Sequence, residues 1–576
     1  MRTINHKVEF CVVGGGIAGM CAAIAAARHG VKTLLMHDRP VLGGNASSEI
    51  RMWICGAQGE NNLETGIIEE IRLENLYRNN YPNYSVWDSI LYEKVRFQEN
   101  LTLLLNCSCN NAEMDGDRIK SISGWQLTNE TWHKVEADYF ADCSGDSILA
   151  PLSGAEFRYG REAAGEFGES IEPEEADDKT MGMSCLIQAR ETGTPQKFIP
   201  PAWANKYTKP EDLPNRIPLL TVNNQNFWWL EIGGEQDTVH DCEDVRDELL
   251  KIAFGVWDYI KNYSGENIVN WVLDWVGFLP GKRESRRYVG DHVITQNDVE
   301  AGGKFEDIVA YGGWSMDDHH PAGLKHPGNP AIFHPAPSPY GIPYRALYSR
   351  NIVNLFFAGR NISVTHAAMS STRVMATCGL LGQAVGIAVA LAVKNALSPR
   401  GVYQHKLEEL QALLQADDCW LPGKKRVIPE LCREAELVSS CENAELVRNG
   451  FDRPIGRENN ACFANAGDYF EYRFDQLRNI SEVKIIFDSN LNRNHLNMVA
   501  QYPLNMSAFK PPESLIRSFA LAIENEHGEI SELFRTDNNY QRFFRLNTAI
   551  KAKTVRLTVL ESGKKEALRI FAFEVS

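Results

Sequence analysis

Three groups of residues in this 576-residue chain have types and spacings that suit chemistry. The first is Gly14-Gly15-Gly16-Ile17-Ala18-Gly19, set between the apolar Cys11-Val12-Val13 and an Ala-rich run to His29. A glycine turn between a strand and a helix makes an anion site for a dinucleotide. Gly14 allows the tight turn, Gly16 lets the backbone approach a pyrophosphate, and Gly19 lets helix and strand pack closely. The helix start, Ala18 included, adds unpaired N–H groups and a partial positive charge. The second group is Gly281-Lys282-Arg283-Glu284-Ser285-Arg286-Arg287, a basic interruption of an otherwise acidic chain. Non-helical and bounded by glycine, it lets Arg283 and Arg286, with Glu284, fix a polar substrate or a cofactor edge through bidentate hydrogen bonds; a solvated face is the alternative. The third is the proline- and ring-rich stretch Trp314–Arg345, with His319, His320, His326 and His334. No HxxxH-type helical spacing links these histidines, so no metal is expected and a substrate-cleft loop is.

These groups need elements to hold them. A short strand ending at Val13, the glycine turn, a helix to His29 and a second strand over Val31–Met36 make half of a dinucleotide-binding βαβ unit. A carboxylate is wanted at the end of that second strand for the ribose hydroxyls. Asp38 can do this, or a neutral His37 can hydrogen-bond there instead. The Gly43-Gly44 turn then lets a loop run close to an extended cofactor, with Arg39 and Asn45 on either side. Glu49 and Arg51, two apart on an extended segment, point the same way, either as a surface ion pair or towards the cofactor. Leu101–Leu105, Asn111–Ser123 and Val135–Phe140 read as a strand followed by a small β meander. Asn226–Gly233 reads as a strand, Asp244–Asn262 and Asn270–Trp275 as helices, and Arg373–Leu397 as a long small-residue helix that must pack tightly against something.

Composition narrows the function classes. With 59 basic and 75 acidic residues the net charge is −16, which argues against nucleic-acid and anionic-membrane partners. The apolar run Gly379–Val393 is too short and small-residued to span a bilayer comfortably, and no basic, apolar leader opens the chain. The 13 cysteines lack metal or redox-pair spacing, which favours thiols in a reducing compartment. The expected location is the cytoplasm, or the periplasm if a leader has been removed.

Three segments in order carry a resemblance. GGGIAG with RPVLGGN, then Tyr139–Asp146 with its Ser144-Gly145-Asp146, then Asn354–Asn361, are similar to the FAD-dependent oxidoreductases of the glutathione-reductase-like superfamily. Within it, LGGNASSEIRMWICGA from Leu42, GKRESRR from Gly281 and the stretch Ala358–Gly386 resemble the group called simply FAD-dependent oxidoreductase, over residues 6 to 400. His37 departs from the glutamate usual in the wider group. The resemblance implies FAD as cofactor and adds Arg51, Gly145, Asp146, Gly359, Arg360 and Ser371 to the cofactor-binding candidates. It also implies that the helix from about Arg373 aims its N-terminus at the flavin, which makes His366 and Arg373 candidates for acid/base and anion-holding roles, beside Arg283 and Arg286. The redox CxxxxC pair and a second GxGxxG for a pyridine nucleotide are missing.

The fold class is α/β: a three-layer Rossmann-like FAD/NAD(P)-binding domain (1–155 plus 346–400), a mixed α+β substrate domain (156–345), a helix and linker (401–434) and a C-terminal β-sandwich (435–576). Glu445–Asp452 and FDSNLNR from Phe487 resemble a galactose-binding-type jelly roll, so a saccharide is one expected partner class and bracing of the enzyme the other role. The expected activity is hydride transfer from a polar, carbohydrate-like small molecule to the flavin, with an electron acceptor the chain does not name; a homo-oligomer is compatible with it. A flavin-containing lyase or hydrolase acting on glycans, or a non-catalytic sugar-binding protein with a retained flavin fold, are the alternatives.

Overall fold

Burial along β1 (Arg2–Val13) is intermittent at first and complete over Phe10–Val13, as expected for a strand that becomes central to a sheet covered on both faces. The glycine turn leads into α1 (Ile17–Arg28), and the chain returns through β2 (Thr33–Met36) and β3 (Leu101–Leu104). A meander follows, β4 (Cys107–Asp115), β5 (Arg118–Gln126) and β6 (Thr131–Asp142), and much later β7 (Leu355–Phe357) joins. The parallel order is β3-β2-β1-β6-β7, with β5 and β4 antiparallel on the first half of β6. The predicted third meander strand is thus a longer one that also pairs with β1 from Arg2↔Thr131 to Val13↔Asp142. The chain winds from β1 to one side and then to the other, and the loops at that reversal are where a ligand binds in open α/β sheets.

The structure is a computed structural model that describes residues 2–221, 226–494, 496–561 and 567–576. It forms two units, Met1–Ala57 with Tyr81–Leu410 and Leu496–Ala508, and Gln58–Asn80 with Gln411–His495 and Phe509–Ser576. In the first, α2 (His366–Thr372) precedes α3 (Met375–Asn395), so the predicted helix begins later than Arg373 and is preceded by a separate turn of helix. Its tight partner is α1: a Cβ on Gly382 would lie 2.0 Å from the Ala18 carbonyl oxygen, and one on Gly386 2.4 Å from that of Ala22. By length and composition α3 could cross a membrane, contrary to the expectation for Gly379–Val393, but 89% of its most apolar stretch is buried inside the protein. An apolar helix buried all round is the core of a large unit.

Two segments differ from the sequence reading. Asn270–Trp275 is not helical: Trp271–Val276 is a strand paired antiparallel with Ile187–Glu191. Of Asn226–Gly233 only Glu231–Ile232 is strand, because Phe227 takes a left-handed φ of 59° and turns the chain. In the second unit, antiparallel strands form a β-sandwich whose core includes Phe470, Tyr472, Val483, Phe519 and Phe573. Here the predicted strands Tyr469–Phe474 and Val483–Phe487 are one strand, Tyr469–Phe487, with register breaks at Arg473/Arg478 and Ile480/Glu482; such bulges bend a strand.

Candidate functional site

The C-terminal ends of β1, β2, β6 and β7 open on one cleft of about 290 Å³. Gly14 has φ +104°, and a Cβ there would sit 2.5 Å from the Cys143 carbonyl carbon; on Gly19 it would sit 1.8 Å from the Gly14 oxygen. Those two glycines let backbone meet backbone. Gly16 is different: a Cβ would meet only the Gly44 Cα at 3.9 Å, so the space before it is left open by the protein. No side chain caps α1 at Gly16 and no acidic residue occupies its first turn, which leaves its N-terminal amides for an anion in the cleft. Gly43 bonds back to the turn, its N–H donating to the Gly15 carbonyl at 2.8 Å. This cradle fits the diphosphate of a dinucleotide.

Gly14, Gly16, Ala18, Asp38, Arg39, Gly43, Gly44, Asn45, Gly145, Asp146, Gly359 and Arg360 all line this cleft. His37 and Asp38, whose side chains lie 3.2 Å apart, differ in their surroundings. The Gly15 N–H donates to His37 Nδ1 at 3.0 Å, and His37 Nε2 lies 3.0 Å from the Val41 carbonyl oxygen. Both ring nitrogens are engaged by the loop, whereas Asp38 is 62% exposed. Arg39 pairs with Glu49 at 3.5 Å. Asp146 accepts from Lys282 Nζ at 2.8 Å, Arg360 Nη2 at 2.6 Å and Ser285 Oγ at 2.8 Å. Burial works against its charge, but Arg360 and Lys282 hold the carboxyl well below the usual range.

Arg51 and Ser371 lie elsewhere. Residues 47–50 form a turn rather than an extended segment, and Arg51 leaves it at φ 64° to lie between the Tyr84 and Trp275 rings, 4.6 and 4.4 Å from their centroids. Ser371 is buried in α2, 2.6 Å from the Tyr340 hydroxyl and donating to the Trp314 carbonyl at 2.5 Å.

A second cavity of about 250 Å³ adjoins the cleft, and Asn45, Lys282, Arg360, Arg373 and Met375 line both. Trp53, Trp228, Trp314 and Phe333 supply its rings, and Cys55 also lines it. Along one side runs a chain of charges. Arg283 Nη1 lies 3.2 Å from Glu231 Oε2, which is 2.6 Å from His319 Nδ1. His319 Nε2 lies 3.2 Å from Asp317 Oδ2, and that oxygen is 3.4 Å from Arg373 Nη2. Burial raises the Asp317 carboxyl, but His319, Arg373 and Arg283 prevail and hold it at about 2. Glu231 is likewise lowered against its burial by Arg283 and His319. The rim of Trp228 stands against the His319 ring at 5.2 Å.

Of the four catalytic candidates, Arg283 and Arg373 reach this cavity. Arg283 is fully engaged inside the protein, donating to Ser184 Oγ at 2.8 Å and the Trp228 carbonyl at 2.9 Å. Arg286 and His366 line neither space. Arg286 lies over the Phe157 ring at 5.7 Å and donates weakly to the Asp146 carbonyl at 3.4 Å. His366, buried at the start of α2, has Nδ1 2.8 Å from Glu284 Oε2 and Nε2 3.2 Å from Asp318 Oδ1. Burial would lower its pKa, yet the two carboxylates raise it well above the ordinary value.

The sequence names His319 within an expected substrate-cleft loop, but singles out neither Glu231 nor Asp317 as its partner. The missed signal is alternation. Met316–His319 is a strand, paired with Ala331–His334, so Asp317 and His319 share one face and Asp318 takes the other. Among the described residues no group of His, Cys, Asp and Glu is arranged to hold a metal ion.

Among solved structures, the chain is similar to a family 32 carbohydrate-binding module of Streptococcus pneumoniae EndoD (16% identity, 25% of this chain and 94% of that one, TM-score 0.19). It is also similar to a chitosan-binding module of a Paenibacillus sp. IK-5 chitosanase/glucanase (14%, 25% and 95%, TM-score 0.18). A third is the family 32 module of C. perfringens NanJ (9%, 25% and 95%, TM-score 0.19). At such scores none of these supports an argument. No curated protein matches the chain. The family model described as FAD dependent oxidoreductase matches residues 9–414, most of the chain, and the protein belongs to that FAD-dependent oxidoreductase family.

Proposed function

We propose that the protein oxidises a small hydroxyl-rich substrate of the carbohydrate class, bound in the second cavity. The observation that carries this reading is His319, set between Glu231 and Asp317 along a cavity that opens into the cofactor cleft. Flat rings suit the C–H faces of a sugar, and the polar groups among them suit its hydroxyls. FAD bound in the cleft supplies a hydride acceptor. The Gly14–Gly16 turn and the start of α1 hold its diphosphate, Asp38 its ribose hydroxyls, and Lys282, Arg360 and Arg373 stand where cleft and cavity meet.

The chain's own residues manage the proton. Glu231 at 2.6 Å fixes the His319 Nδ1–H and the ring's orientation, the relation that makes an imidazole an effective acid or base. The hydroxyl proton released by the substrate goes to His319 Nε2, the ring nitrogen that Glu231 does not hold, and the N–H so formed has Asp317 Oδ2 3.2 Å away to accept its hydrogen bond. Arg283, itself held by Ser184 and Trp228, keeps Glu231 ionised. The thiols and the absence of a disulfide among the described residues suit a cytoplasmic setting, which we include in the proposal.

The test is anaerobic mixing of the FAD-loaded protein with a panel of aldoses, polyols and sugar acids while flavin absorbance is followed. Bleaching by a member of the panel is expected, and its loss in His319→Gln at unchanged flavin content. A protein that takes up no FAD overturns the reading. Glycan cleavage without bleaching would favour the lyase or hydrolase alternative.

A further inference from the structure

We infer that the substrate carries a carboxylate, as a sugar acid does, and that Lys282 and Arg373 receive it; this rests on the second cavity being the substrate site. The charges there do not cancel. Lys282, Arg283, Arg360 and Arg373 line the cavity, and the carboxylates bonded to them are Asp146, Glu231 and Asp317: four cations to three anions before His319 is counted, in a chain whose net charge is −16. The glycine turn and the α1 amides take the FAD diphosphate in the proposed arrangement, so the excess on the cavity side is costly unless a further anion arrives to pair with it.

The unspent hydrogen bonds point the same way. Arg283 and Arg360 direct their guanidinium groups at protein oxygens, Arg360 with Nη1 on Ser285 and Nη2 on Asp146. Lys282 Nζ donates to Asp146 Oδ2 alone, which leaves two of an ammonium's three donors. Arg373 spends Nη2 on the Asp317 carbonyl and carboxylate, while its Nη1 has no partner among the described residues. The Asp317 oxygen without a partner, Oδ1, is by contrast sealed from solvent. The cavity therefore offers free cationic donors and little free carboxylate, and both donors stand at the junction with the cofactor cleft.

The experiment measures binding of gluconate and glucuronate against sorbitol and glucose to the FAD-loaded protein, by calorimetry at low salt. The acids are expected to bind about tenfold tighter or better, the usual worth of a charge-assisted contact. Lys282→Met and Arg373→Gln should each erase most of that preference, read as the ratio of acid to neutral affinity within one FAD-loaded variant, with a thermal melt as the check on folding and Arg373→Lys retaining part of the preference. Equal binding of acids and neutral analogues by the wild-type protein overturns the inference and leaves the proposed function standing. A preference that survives in both variants overturns the assignment to Lys282 and Arg373. Binding of neither class overturns the carbohydrate reading itself.

Discussion

Asp317 and Asp318 are consecutive, yet each serves a different histidine: Asp317 Oδ2 lies 3.2 Å from His319 Nε2, and Asp318 Oδ1 lies 3.2 Å from His366 Nε2. The strand Met316–His319 sends successive side chains to opposite faces, so one dipeptide supplies two separate networks. On one face His319 lines the cavity beside the cofactor cleft. On the other, His366 is enclosed by Glu284 and Asp318, with Arg287 Nε 3.3 Å from the second Glu284 oxygen. Similar carboxylate–imidazole pairs thus differ in access to the cavity, which only His319 lines, and substitutions should separate them.

His319→Gln should lower kcat by roughly 10² to 10⁴, the range for a general acid–base group, with flavin content unchanged. Steady-state kinetics on a bleaching substrate from the panel provide the measurement. An unaltered kcat would remove His319 from the chemistry.

His366→Leu should instead destabilise the protein, because it strands Glu284, fully buried, opposite a lost cation. Removing one partner of a buried pair costs about 3 to 5 kcal/mol. The histidine's folded pKa is raised well above the ordinary imidazole value of 6.5, so its stabilisation is fully present below that pH and fades as pH rises through the folded value. Urea titrations should therefore show the gap between wild type and variant closing as pH rises through the histidine's folded value, and again in acid where Glu284, lowered by the same pair, takes a proton.

Glu172 gives the opposite slope. Burial lifts its carboxyl from 4.5 to about 7, with His366 opposing and Glu162 adding to the rise. The folded state then holds a proton that the unfolded chain releases, so stability falls as pH climbs from 4.5 to about 7 and is level above. At 1.36 kcal/mol per unit the penalty is at most about 3 kcal/mol. Glu172→Gln keeps an oxygen for the Ala367 N–H that donates to Oε1 at 2.7 Å. It should raise the melting temperature near pH 8 by several degrees, by roughly 2 to 4 °C per kcal/mol for a large domain, and leave it unchanged near pH 4.

The contrast between the two histidines also explains what could be read without coordinates. β1, the glycine turn and α1 are contiguous, each residue type matches its local geometry, and these elements stand where the glycine spacing places them. The small-residue pattern of α3 announces a close partner but does not name it; α1 lies hundreds of residues earlier. His319 and Glu231 are 88 residues apart, and nothing in either stretch points to the other. Reading Trp314–Arg345 as an irregular loop hid the alternation in Asp317-Asp318-His319. The helix expected over Asn270–Trp275 is instead the strand Trp271–Val276, because its partner, Ile187–Glu191, is similarly distant and pairing across a sheet outweighs local propensity.

The glycine turn permits a test that separates folding from cofactor binding. Gly14→Ala forces a left-handed φ of +104° on a residue with a Cβ and drives it against Cys143, so it should unfold or severely destabilise the first unit. Gly16→Ala has ordinary φ of −68° and meets only Gly44 at 3.9 Å. It should melt like wild type and lose FAD affinity by tenfold or more, because the added methyl occupies space the diphosphate needs. Equilibrium dialysis with FAD beside thermal melts distinguishes the two. Wild-type affinity in Gly16→Ala would move the cofactor off this turn.

Gly382→Ala probes the same cleft from behind. Its methyl would fall 2.0 Å from the Ala18 carbonyl oxygen, a backbone atom that cannot swing aside, so α1 and α3 must separate. Overpacking of this kind costs about 1 to 3 kcal/mol. The displacement reaches the cofactor because Ile17 and Ala18, which open α1, line the cleft. Lower melting temperature and weaker FAD binding should therefore appear together, and saturating FAD should restore part of the lost stability by mass action. Gly165→Ala is the control, since a Cβ there meets nothing within 4 Å and no positive φ is required. If Gly382→Ala lowered stability without weakening FAD binding, the α1–α3 contact would be a packing feature alone, with no hold on the position of the glycine turn.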